Sequence, residues 1–181
     1  MPTYIALLRG INVSGQKKIK MADLRAHLEE LNFSKISTYI QSGNIVFNAI
    51  SESPHDLETL IASKIKEKYG FDVPVLIQTP EQIEMLIDRC PYIKDADKDP
   101  KKIYLTLLSE EPSADRVAQL SHIQYEGEEY ILQDRCIYFY ADNGYGKAKM
   151  NNNFFENKLK VNATTRNWNT MNKLLDMARG N

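Results

Sequence analysis

Four basic residues, Arg9, Lys17, Lys18 and Lys20, fall within residues 1–20, where no Asp or Glu occurs. They lie in RGINVSGQKKIK, which also carries glycine hinges at Gly10 and Gly15 and an amide at Asn12. The N–H groups of a glycine-hinged loop, joined by guanidinium and ammonium groups, suit an oxyanion or a phosphate. A P-loop asks for more: GxxxxGK followed by Ser or Thr, so that lysine reaches the phosphates and a hydroxyl holds magnesium. Here Gln16 stands in the lysine's place and no hydroxyl follows it. The pattern argues against nucleotide hydrolysis of that kind. It leaves a looser anion contact through Arg9, Gly10, Asn12, Lys17 and Lys18. The plainer alternative is a solvated basic turn, in which the glycines serve only the change of direction.

A second basic region comes late. Residues 141–181 hold seven Lys or Arg against three Asp or Glu, whereas residues 91–135 hold six against ten. Lys147 belongs to the glycine-hinged stretch DNGYGKAKM. Arg166 and Asn167 are expected in the first turn of the last helix, where free amides and the helix dipole favour an anion. Pairing of Arg166 with an acidic neighbour is the alternative, and Trp168 is expected in the core. Other chemistries find little support. Ser42 stands beside Gly43, but a serine nucleophile needs a base and an orienting carboxylate. His27, His55 and His122 offer no such pattern, so residues 41–44 read as a hairpin turn with Gly43 at positive φ. No His, Cys, Asp or Glu cluster has metal-ligand spacing, and no carboxylate pair stands out for acid–base work. Neither a metal nor a cofactor is expected.

The elements that must position these groups follow from periodicity. Residues 3–8 predict a strand apolar on both faces, hence central and covered. Residues 21–31 repeat apolar side chains at helical spacing, at Met21, Leu24, Leu28 and Leu31. Strands over 36–41 and 44–48 flank the Ser42-Gly43 turn, which is assigned to the sheet end opposite the basic loop. A helix over 54–69 ends at Gly70, and a fourth strand spans 73–78. The order βαββαβ is that of ferredoxin-like domains. RNA-recognition domains of this order stack bases on strand aromatics. Tyr4 and Phe47 are the candidates here, but Asn44 stands where an aromatic is wanted and a covered sheet speaks against this use. Pro80 opens a third helix, and the charged residues 94–102 read as a connector. The second half repeats the texture: a strand at 103–108, a helix at 112–120, a hairpin at 128–133 and 136–141, and a helix at 152–159. A final helix is expected from Thr164 or Thr165, both good N-caps.

Composition sets the outer bounds. A chain of 181 residues with 43% apolar and 26% charged residues is ordinary for a globular protein. It buries roughly 70% of its unfolded surface without needing a staple. A net charge of −1 gives no whole-molecule argument for nucleic acid or membrane. Cys90 and Cys136 form no framework, which suggests free thiols in a reducing compartment. With no leader-like start and no apolar run near ~18 residues, a cytoplasmic protein with no membrane contact is expected.

The stretches YIALLRGINVSGQKKIKMADLRAHLEEL and TYIQSGNIVF, with the late TTRNWNTMNKLLDMA, resemble the bacterial family catalogued as domain of unknown function 1697. The resemblance implies two linked α/β subdomains, the first ferredoxin-like, and implies no activity. Where that family commonly has Gly-Gly in the first loop, this chain has Ser14-Gly15.

The sequence thus predicts an α+β protein. A ferredoxin-like subdomain is expected at 1–79, a linking helix and connector at 80–100, and a smaller α/β lobe with C-terminal helices at 101–181. Arg9, Gly10, Asn12, Lys17, Lys18, Lys147, Arg166 and Asn167 are expected to form one groove for an anionic small molecule or nucleic acid. The alternative is an interaction protein that meets an acidic partner. The sequence leaves the oligomeric state open.

Overall fold

The computed structural model describes residues 1–50 and 53–180. Two compact units make up the chain: Met1–Met85 together with Lys173–Asn181, and Leu86–Asn172.

The first unit runs β1 (Thr3–Leu8), α1 (Met21–Glu29), β2 (Ser34–Tyr39), β3 (Asn44–Asn48), α2 (Pro54–Tyr69) and β4 (Val75–Gln78). Its sheet has the order β2-β3-β1-β4, with β1 antiparallel to both neighbours. Tyr4, Ala6 and Leu8 of β1 join Ile45 and Phe47 of β3 in one core with Leu24, Leu28, Leu57, Ile61 and Ile65 of the two helices. The alternate residues Ile5 and Leu7 are fully buried as well. Both faces of β1 are therefore covered, which accounts for its unbroken apolarity. Burying each such side chain contributes about 1.5–3 kcal/mol. Helix α2 is bounded by local chemistry. Ser53 Oγ accepts from Asp56 N at 3.2 Å, Pro54 follows, and Gly70 closes the helix at φ 79°. After β4, helix α3 (Pro80–Asp88) begins, and the boundary between the units falls within it.

The second unit runs β5 (Ile103–Leu108), α4 (Ala114–Ser121), β6 (Glu128–Gln133), β7 (Cys136–Ala141), α5 (Asn152–Leu159) and β8 (Ala163–Asn167), followed by α6 (Trp168–Arg179). Its sheet has the order β6-β7-β5-β8, and β5 is antiparallel to β7 and β8. Phe139, Ile137 and Leu108 form its core with Phe155, Leu159 and Leu120.

Two expectations need correction. Residues 163–167 are a strand, not the start of the last helix, so the second lobe is itself a complete βαββαβ. Thr164 and Thr165 are buried or half-buried in that ladder rather than capping a helix. Tyr4 and Phe47, disfavoured above as stacking aromatics, lie in the core packed on α1 and α2, with ring centroids 5.8 Å apart. The turn between β2 and β3 is not at the far end of the sheet. Because β1 and β3 are antiparallel, with Leu7 opposite Asn44, the end of β1 and the start of β3 share one end.

Candidate anion-binding site

That shared end gathers three connections of the first unit. Leu8 N donates to Gly43 O at 2.8 Å, and Arg9 N donates to Pro74 O at 3.0 Å. The β1–α1 loop is thus tied to the β2–β3 turn on one side and to the approach to β4 on the other. Gly43 is indispensable for the first tie. Its φ is +82°, and a Cβ there would come within 2.6 Å of Leu8 Cβ and 2.8 Å of Ile11 Cδ1.

Beyond Arg9 the loop doubles back as a short hairpin. Gln16 N donates to Val13 O at 2.9 Å, and Ser14 and Gly15 have φ 51° and 75°. Two successive positive φ values are what two-residue hairpin loops require. The asparagine at position 12 holds this hairpin down. Asn12 Oδ1 accepts from Ile19 N at 2.9 Å, while Asn12 Nδ2 donates to Ile19 O at 2.9 Å and to Gln41 O at 2.8 Å. Its amide is a strut between loop and turn, a role that spacing along the chain does not announce. Lys17 Nζ reaches Asp72 O at 2.6 Å. Ile40, in the turn, adopts φ 50°, a conformation that β-branched residues rarely take, and half of it is exposed.

The structure therefore brings Arg9, Gly10, Asn12, Lys17 and Lys18 together at one sheet end. Lys18 is exposed there, and Gly10, at φ 71°, has open space where a Cβ would stand. The remaining three predicted residues belong to the second unit. Lys147 is exposed at the end of a 3-10 turn, Tyr145–Lys147. Arg166 is in the body of β8 and only 8% exposed, and its Nη1 donates to Thr164 Oγ1 and Thr165 O, each at 2.9 Å. The expected placement of its guanidinium at a helix N-terminus is thereby overturned. Asn167 Oδ1 accepts from Thr170 N at 2.7 Å and caps the first turn of α6.

Ser42 Oγ accepts from Asn44 Nδ2 at 3.0 Å, a contact that fixes the turn. His27 and His55 face Glu30 and Glu58 within their own surroundings. Cys90 and Cys136 are free and buried, and burial pushes both thiols upward, away from reactive thiolate. Among the described residues no group of three or more His, Cys, Asp or Glu could hold a metal ion, and no helix is long and apolar enough to cross a membrane.

Two four-stranded antiparallel sheets, each wound βαββαβ, define a tandem ferredoxin-like α+β protein. The family model described as "Protein of unknown function (DUF1697)" matches residues 1–138, and the chain belongs to that family. Among solved structures it is similar to the conserved bacterial protein SP0830 from Streptococcus pneumoniae, with a TM-score of 0.73 and 24% identity. That likeness covers 97% of this chain and 98% of the other, and it is a likeness of fold. No curated protein matches the chain.

Proposed function

We propose that the first unit binds a phosphate-bearing or other anionic ligand, a nucleotide or a short stretch of nucleic acid, at the sheet end built by residues 9–20, 40–43 and 70–74. One observation carries the reading. Those three segments hold four cations, Arg9, Lys17, Lys18 and Lys20, against one carboxylate, Asp72. That carboxylate is already ion-paired with Lys66 at 2.6 Å. Exposed ammonium groups are individually worth little, but several on one loop reinforce one another. Val13 and Ile40, both at least half exposed, would meet the apolar part of such a ligand. The strained Ile40 supports the same reading, since backbone strain collects at ligand clamps. Asn12 is a positioning residue in this scheme. The buried thiols suit a reducing compartment, and the reading is of a cytoplasmic protein.

Thermal unfolding of the full chain with inorganic pyrophosphate, ATP and an oligothymidylate tests the proposal. A ligand at a hundredfold excess over Kd should stabilise by about 2.7 kcal/mol. Arg9→Ala and Lys18→Ala should weaken binding without lowering the melting temperature of the free protein. For the oligonucleotide, affinity should fall log-linearly with salt. Absence of any response to all three probes sinks the proposal. A response to polyglutamate alone would instead favour the interaction reading, with an acidic protein partner.

A further inference from the structure

The second unit holds a cavity of about 550 Å³ that shares no residue with the proposed anion site. Its lining includes Tyr92, Tyr125, Tyr130, Gln124, Glu128 and Glu129, and no lysine or arginine. We infer that this cavity binds an organic ammonium ion, held by tyrosine faces and by the Glu128 carboxylate.

Two of its tyrosines already receive ammonium groups of the chain itself. Lys149 Nζ stands 4.9 Å from the centroid of the Tyr125 ring. Lys98 Nζ stands 5.8 Å from Tyr92 and 4.3 Å from Tyr140, and it is ion-paired with Glu129. Aromatic faces with a nearby carboxylate are the usual receptor for an ammonium head group. The two glutamates differ in what they have left to give. Glu129 is matched by Lys98. Glu128 accepts from two successive backbone amides, Lys149 N and Met150 N, each at 2.8 Å. Those bonds fix the carboxylate in place, yet among the described residues no side-chain cation is ion-paired with it. An anion in this cavity would meet the Glu128 carboxylate. A neutral apolar ligand would desolvate Glu128 and return nothing for it. A cation with an apolar shell satisfies both the rings and the charge.

The full-length protein should be titrated by calorimetry with choline and with 3,3-dimethylbutan-1-ol, which replaces the charged nitrogen by carbon at nearly constant shape. Choline should bind at least about tenfold more tightly than the alcohol. Glu128→Gln should lose about that factor, and Tyr125→Leu should abolish the preference. Lys149→Gln should tighten choline binding, because it removes a competing ammonium from the Tyr125 face. Should Glu128→Gln fail to fold, the Tyr125 and Lys149 variants still decide the matter. Equal binding of the two probes, no binding of choline, or choline binding indifferent to Tyr125→Leu would overturn the inference.

Discussion

The two sheets are built alike, and their first loops are not. Leu8 N to Gly43 O at 2.8 Å in the first unit has its counterpart in Leu108 N to Arg135 O at 2.9 Å in the second. Arg9 N to Pro74 O corresponds to Ser109 N to Asn162 O. Even the core pair repeats, Tyr4 opposite Phe47 and Tyr104 opposite Phe139. On this shared frame the first unit places residues 9–20, with four cations and a strutted hairpin. At the same place the second has residues 109–113, short and carrying Glu110 and Glu111. The scaffold is repeated while the loop differs in length and in sign of charge. What the repeat preserves is thus what folding needs, and what it varies is where the two units can differ in ligand.

The sharpest way to break this comparison is at the paired turn. Gly43→Ala should cost more than about 3 kcal/mol, since it adds a backbone-adjacent clash to a left-handed φ. Arg135→Ala, at the equivalent exposed position, should stay within about 0.5 kcal/mol. Chemical denaturation of both variants checks the contrast, and equal losses would mean that the steric demand is not particular to the first turn. Asn12→Ala should come next, at about 1–3 kcal/mol, because the part-buried amide and carbonyl of Ile19 lose their partner and the tie to Gln41 O is cut. Its amide proton exchange should quicken in residues 12–19 while the second unit is untouched. Ile40→Asn has the opposite sign, a gain of about 1 kcal/mol from relieving the left-handed strain. If the strained turn serves the anion site, that same variant should bind pyrophosphate less well.

The smallest effect expected is one of pH. In the first unit Lys68, His27 and Lys64 around Glu30 hold its carboxyl down at about 2. A lowered carboxyl contributes stability above its unfolded value of 4.5 that is lost as pH falls toward about 2. Glu30→Gln should therefore flatten the acid limb of the melting temperature, modestly and only at low salt. Arg116, Lys158 and Lys160 line the small cavity of about 230 Å³ between α4 and α5 without a carboxylate.

Much of the fold was legible because several local signals agreed. The α2 helix carried an apolar stripe, Pro54 at its start and Gly70 at its end, and its bounds are as expected. The β5, β6 and β7 strands were equally plain. The β8 strand was hidden by Thr164 and Thr165, residues that cap helices and also favour strands. Arg166 in its interior removed the apolar alternation that identifies a strand. The repeat itself held the missing signal, since β, α, β, β, α in the second half lacks only the closing strand. The geometry of the candidate site was half legible. Charge counting found Arg9, Lys17 and Lys18, and glycine found the hinges. The nearness of residues 40–43 was available from topology alone, because antiparallel pairing of β1 and β3 dictates it. The strut at Asn12 was not, since its partner Gln41 lies far along the chain and nothing in either residue type marks the bond.

The first unit is discontinuous: residues 86–172 intervene before 173–181 return to it. During synthesis, therefore, the two repeats mature in an order opposite to their order in the chain. The second is a single uninterrupted stretch and can complete its sheet as soon as residue 172 has left the ribosome. The first, though translated earlier, waits for the last half of α6 before its own unit is whole. Nascent chains are vulnerable at such intervals. A chain released just short of residue 173 should leave the ribosome with the younger repeat folded and the elder one open to proteolysis.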